Sequence, residues 1–124
     1  MKLDTYCKVL SIEALTMRDM VWHDILPAVS AYSKELSDAA IAKSSLGIEC
    51  GFEKELAAKI SSLIADTVNE VRVLECIADE VNALGDNLTR AAVYKNEVLP
   101  AMAALRATVD ELETLTAKKH WPYP

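Results

Sequence analysis

Apolar residues recur at steps of three and four along most of the chain, the spacing of one helical face. Leu15, Trp22, Ile25, Leu26, Val29, Tyr32, Leu36 and Ala39 or Ala40 trace a first helix. It is predicted to begin near Ser11, an N-cap residue type with Glu13 in the first turn. Ser44-Ser45-Leu46-Gly47 ends it, with Gly47 placed where a helix C-terminus favours glycine. Residues 1–10, with Leu3, Tyr6, Val9 and Leu10 apolar, either add a helical lead-in or fray.

A second helix is predicted from about Phe52 to Leu84. Ile60, Ile64, Thr67, Val71, Leu74, Ala78 and Val81 step 4-3-4-3-4-3, and Leu56, Leu63, Val68, Ile77 and Leu84 widen the stripe. A stripe that wide touches two neighbours, because a two-stranded seam is narrower. After Gly85, Asp86 or Asn87 caps a third helix over roughly Leu88 to Lys118. Its stripe is Tyr94, Val98, Met102, Leu105, Val109, Leu112 and Thr116. Helix cannot persist past Trp121 in the tail His120-Trp121-Pro122-Tyr123-Pro124.

Ile25-Leu26-Pro27-Ala28-Val29 returns as Val98-Leu99-Pro100-Ala101-Met102, each copy inside a helical stretch. Proline lacks an amide hydrogen and crowds the preceding turn, which costs ~3 kcal/mol and bends the axis. Short connections make successive helices antiparallel, so the first and third run parallel with their prolines at similar heights. The fold expected is all-α: an elongated, antiparallel up-down-up three-helix bundle with proline-bent first and third helices. Each helix would be about 50 Å long at 1.5 Å per residue.

Composition supports one such domain over residues 1–124. The chain holds only three glycines, is 52% apolar and 26% charged, and favours helix throughout. Charges interrupt every long apolar stretch, so no membrane span is expected, and no secretory leader is recognised. A cytoplasmic setting follows as an expectation. A net charge of −6 argues against nucleic acid, which needs a basic face. The one local basic cluster, Lys118-Lys119-His120, is read as complementing the negative end of the third helix after Asp110, Glu111 and Glu113.

Candidate chemistry is sparse. Cys7, Cys50 and Cys76 lack metal-site spacing. Cys50 and Cys76 flank one helix at roughly 39 Å, so all three are read as reduced thiols serving as small apolar residues. His23-Asp24 invites comparison with histidine phosphotransfer bundles, but Ile25, Leu26 and Pro27 follow where such a site wants small residues and a lysine. The bland alternative is a surface histidine. No Glu-x-x-His pair, His-Glu-x-x-His motif or glycine-rich phosphate loop occurs. Asp19, Asp24, Glu35 and Asp38 alternate with Arg18 and Lys34 as on a solvated face. Trp22 and Tyr94 share the helical phase of the core. Trp121, in its proline-flanked tail, is read as broken off in mid-contact, with its partner elsewhere. Catalytic, cofactor-binding and metal residues are all assigned as none.

Two ordered runs carry a family resemblance. Ile12-Glu13-Ala14-Leu15-Thr16-Met17-Arg18-Asp19-Met20 with Asp24-Ile25-Leu26-Pro27-Ala28-Val29 resembles the start of the C-terminal helical region of type III glutamine synthetases. Tyr94-Lys95-Asn96-Glu97-Val98-Leu99-Pro100-Ala101-Met102, then Leu105-Arg106, Asp110-Glu111-Leu112-Glu113 and Lys118-Lys119-His120-Trp121-Pro122-Tyr123-Pro124, resembles its end. The stretch from about Ala42 to Ala92 matches in helical character alone.

The resemblance implies a parent that makes glutamine from glutamate, ammonia and ATP through a gamma-glutamyl phosphate, with a divalent cation such as magnesium. It implies stacked-ring homo-oligomers, with the catalytic domain of the parent chain and neighbouring subunits as partners. The family's nucleotide and metal motifs have no counterpart here, so the piece itself is expected to be non-catalytic and to hold no cofactor. The family's chain runs on past the Trp-Pro-aromatic-Pro motif, and Met1 would fall within an interior segment. An excised domain or truncated product is therefore expected. The competing reading is a freestanding helical module that pairs through its apolar stripes.

Overall fold

The computed structural model describes residues 2–124. It is all-helical, with three helices and no strand among the described residues. The first helix comprises α1 (Leu3–Met20), a π turn (Val21–Ile25) and α2 (Leu26–Ser45) in unbroken succession. The second is α3 (Gly51–Asn82), 32 residues long. The third comprises α4 (Asn87–Val93), a π turn (Tyr94–Val98) and α5 (Leu99–Leu115).

The predicted bounds hold for the second helix and shift for the others. The first helix begins at Leu3, well before Ser11, because the lead-in packs: Cys7 and Leu10 are buried, and Ala14 continues their face. Met1, the first residue of that lead-in, lies outside the described residues. Leu15, placed on the core stripe by spacing, is 43% exposed, and Ala14 takes its place. The third helix stops at Leu115, short of Lys118, where Thr116 turns to extended backbone and its hydroxyl donates to the Leu112 carbonyl at 2.7 Å.

Both interhelical turns follow from local chemistry. Gly47 adopts φ +70, the left-handed conformation that glycine reaches without strain. The amides of Ile48 and Gly47 then donate back to the Lys43 and Ser44 carbonyls at 2.8 and 3.1 Å, satisfying the helix end in a Schellman motif. Asp86 caps the third helix: its carboxylate accepts from the Leu88 and Thr89 amides and, at 2.7 Å, from the Thr89 hydroxyl. The Thr89 contacts hold the Asp86 carboxyl below its ordinary pKa.

The two π turns occupy equivalent places, each just before the repeated proline phrase. In each, the residue preceding proline donates five residues back, Leu26 to Val21 and Leu99 to Tyr94. The buried spacing gives the reason. Val21, Ile25 and Val29, like Tyr94, Val98 and Met102, are all buried and follow one another by two steps of four. Each such step overshoots an α-helical turn by about 40°. A π turn spends an extra residue and so keeps all three on one face.

Ile60, Leu74, Leu105 and Leu112 are essentially inaccessible at the centre, with Val21, Val29, Val71, Val81 and Val98 around them. Thr67 is also fully buried, its hydroxyl satisfied by the Leu63 carbonyl at 2.7 Å. Cross-helix polar pairs bracket this core: Trp22 with Glu75, Lys43 with Glu53, Thr108 with Glu70, and Lys59 with Glu111. No described helix is long and apolar enough to cross a membrane.

Candidate functional site

The tail after Thr116 gathers the most chemistry, and it overturns two sequence expectations. Lys119 and His120 do not serve the end of the third helix. Lys119 Nζ donates to Glu35 Oε1 at 2.8 Å, and His120 Nε2 shares the other oxygen of the same carboxylate. The helix has already stopped at Leu115, which puts the basic residues on a reversing tail that can reach α2. Nor does Trp121 lack a partner within the chain. Trp121 and Tyr123 pack against the buried core and meet edge to face at 6.5 Å between ring centroids.

Glu35 and Tyr32 form the receiving surface on α2. The His120 ring lies 5.3 Å from that of Tyr32. Hydrogen bonds from Lys119 and then His120 hold the Glu35 carboxyl below its ordinary pKa. Further up the first helix, Tyr123 donates to Asp24 Oδ2 at 2.8 Å. Burial, then this bond to a carboxylate, pushes the Tyr123 phenol up to about 12. Glu35 carried no signal in the sequence beyond its place in an alternating charged face. Tyr32 is legible in the sequence only as a member of the apolar stripe.

His23 and Asp24 sit together on the first π turn, both exposed. Asp24 is engaged by Tyr123, while Ile25 and Leu26 turn inward to the core. Trp22, also on this turn, is half-buried. Its indole donates to Glu75 at 2.9 Å and its ring lies under the Arg72 guanidinium at 5.9 Å. Tyr94 opens the second π turn, as Val21 opens the first, and is fully in the core, as its phase predicted. Among the described residues, no group of three or more His, Cys, Asp or Glu is placed to hold a metal ion. The three cysteines are free: Cys7 and Cys50 are buried as expected, whereas Cys76 is exposed and is no core residue.

Beside the first π turn lies an open apolar groove of about 570 Å³ between the first and third helices. Met17, Val21 and Ile25 line one wall and Met102, Leu105 and Val109 the other, with Glu13 and Arg106 among its polar lining residues. Ile12 and Met20, at its edge, are 63% and 37% exposed. The groove has the shape and lining of a packing surface, with few polar groups to orient a small ligand.

Residues 1–44 match a family model described as the glutamine synthetase C-terminal domain. The chain is also 31% identical over 124 residues to a glutamine synthetase of Butyrivibrio fibrisolvens. That match takes in 98% of this chain and 18% of the relative, so the chain spans under a fifth of the relative's length. No solved structure matches. Both matches support a glutamine synthetase C-terminal domain, one over the first proline phrase and the other over both.

Proposed function

We propose that this chain is the non-catalytic C-terminal helical domain of a type III glutamine synthetase, serving domain packing, oligomer contacts or regulation. The observation that carries this reading is the match along 98% of the chain to a small share of a protein called glutamine synthetase. On this reading the parent forms glutamine from glutamate, ammonia and ATP with a divalent cation such as magnesium. The chemistry and its cofactors then reside in the catalytic domain. The partners are that domain and neighbouring subunits of a cytoplasmic homo-oligomer.

The subtype rests on the two proline phrases and the Trp121-Pro122-Tyr123-Pro124 motif. An up-down-up order is supported by the cross-helix pairs. Trp22 with Glu75 and Lys43 with Glu53 run in opposite senses along the first and second helices. Cys7, whose thiol lies 3.8 Å from the Asn87 carbonyl, sets the starts of the first and third side by side. The π turns support bends at the two prolines, because such turns recur where helices kink. The groove is then the apolar face that the domain offers to the rest of its parent.

The direct test is to supply this chain with glutamate, ammonia, ATP and magnesium. No glutamine above background is expected, and turnover would place chemistry in this domain. The upstream coding sequence separates a domain from a freestanding module: a reading frame running into a ligase domain supports the first.

A further inference from the structure

Beyond its turn at Ala117, the tail is held to the first helix by side chains alone. Its backbone hydrogen bonds are both local, from the His120 and Trp121 amides to the Ala117 carbonyl. Pro122 and Pro124 have no amide to give. What remains is one shared carboxylate at Glu35, one phenol bond to Asp24, and two half-buried rings against the core. The anchors are spaced along the first helix, so the tail runs back from Glu35 towards Asp24, against the direction of the helix. Asp24 adjoins Ile25, a wall residue of the open groove.

We propose that residues 117–124 form a releasable strap, pinned at Glu35 and Asp24, which opens as a local unit while the three helices stay folded. Segments with few buried apolar contacts and little backbone bonding to their neighbours open well below the global unfolding free energy. The helices, by contrast, carry backbone ladders broken only around the two prolines and hold the inaccessible core. Release bares the apolar core surface under Trp121 and Tyr123. The strap therefore sets how much apolar face the domain presents.

The chain's two tryptophans, Trp22 and Trp121, report the two events separately. Their indole amide resonances are told apart by Trp121→Phe and followed through a urea titration alongside helical circular dichroism. The Trp121 signal is expected to reach the position of a free His-Trp-Pro-Tyr-Pro peptide at lower urea than the helical transition. Glu35→Gln should shift the strap transition to still lower urea and leave the helical midpoint in place. Glu35 is about half exposed on α2, so this variant folds without rebuilding the core. Tyr123→Phe should act in the same direction through Asp24. A single transition shared by Trp121 and the helices would make the tail part of the cooperative core and overturn the proposal. A strap midpoint unmoved by Glu35→Gln would equally remove Glu35 as the pin.

Discussion

Glu53 is a buried charge at the first interhelical hairpin. It is 6% exposed in the first turn of α3, and its carboxylate meets the Lys43 ammonium at the end of α2. That hydrogen bond is the largest cause holding its carboxyl below the ordinary value of 4.5, helped by an amide of its own helix start. Removing the lysine leaves a carboxylate enclosed without a counter-charge, which costs more than losing an exposed pair. Lys43→Ala should therefore lower Tm by clearly more than Lys34→Ala, whose partner Asp38 lies on an exposed face. The sign of the pH dependence follows from linkage. A carboxyl whose folded pKa is depressed contributes stability above its unfolded pKa and loses it as pH falls through the folded one. The difference in Tm between wild type and Lys43→Ala should thus be full at neutral pH and shrink below 4.5. A difference that grows on acidification would contradict the assignment. Sequence alone could not find this residue, because a glutamate one turn into a helix reads as an exposed dipole partner. Only the fold brings Lys43 back over it.

Elements were far more legible than their contacts. The stripe from Tyr94 to Thr116 lies buried or half-buried as spacing foretold, since a long helix needs one continuous apolar face against its neighbours. Boundaries were harder. Polar Ser11 outweighed the sparse apolar lead-in, yet Cys7 and Leu10 find the start of the third helix to pack on, a gain that local pattern does not encode. The π turns were present in the sequence as paired steps of four just ahead of each proline. Spacing alone absorbs such steps into an ordinary helix. If the prolines fix these turns, Pro27→Ala with Pro100→Ala restores an amide in each helix and removes the cause of bending. The double variant should straighten both helices and lengthen the particle seen by small-angle X-ray scattering. Unchanged scattering would assign the π turns to core packing at Val21 and Tyr94 and would end the argument for shared bends.

At the scale of the whole molecule, exposed apolar area is the feature that a solitary domain does not need. Large patches on a folded surface mark contacts with other protein. The groove beside the first π turn is walled by core residues, and Ile12 and Met20 stand open at its edge. A second cluster lies at the far hairpin, where Leu46 and Phe52 are 75% and 70% exposed. Partner choice could not be read from the chain, because the same stripe of spacing serves a core and a docking face alike. Separating them needs a substitution that is silent for folding and loud for association. Ile12→Lys with Met20→Lys meets that need: both side chains already reach solvent, so each change should alter the isolated chain's stability by only about 0.5 kcal/mol. If the chain is the proposed synthetase domain, the same pair in that parent would place two cations in an apolar contact, a desolvation cost that a packed interface does not absorb. Light scattering on the full-length protein should then report a smaller assembly, or loosened domains with faster proteolysis at the junction, while the isolated domain melts as before. An unchanged assembly and junction would mean that the groove faces solvent in the parent, and the packing role would pass to the hairpin surface around Leu46 and Phe52.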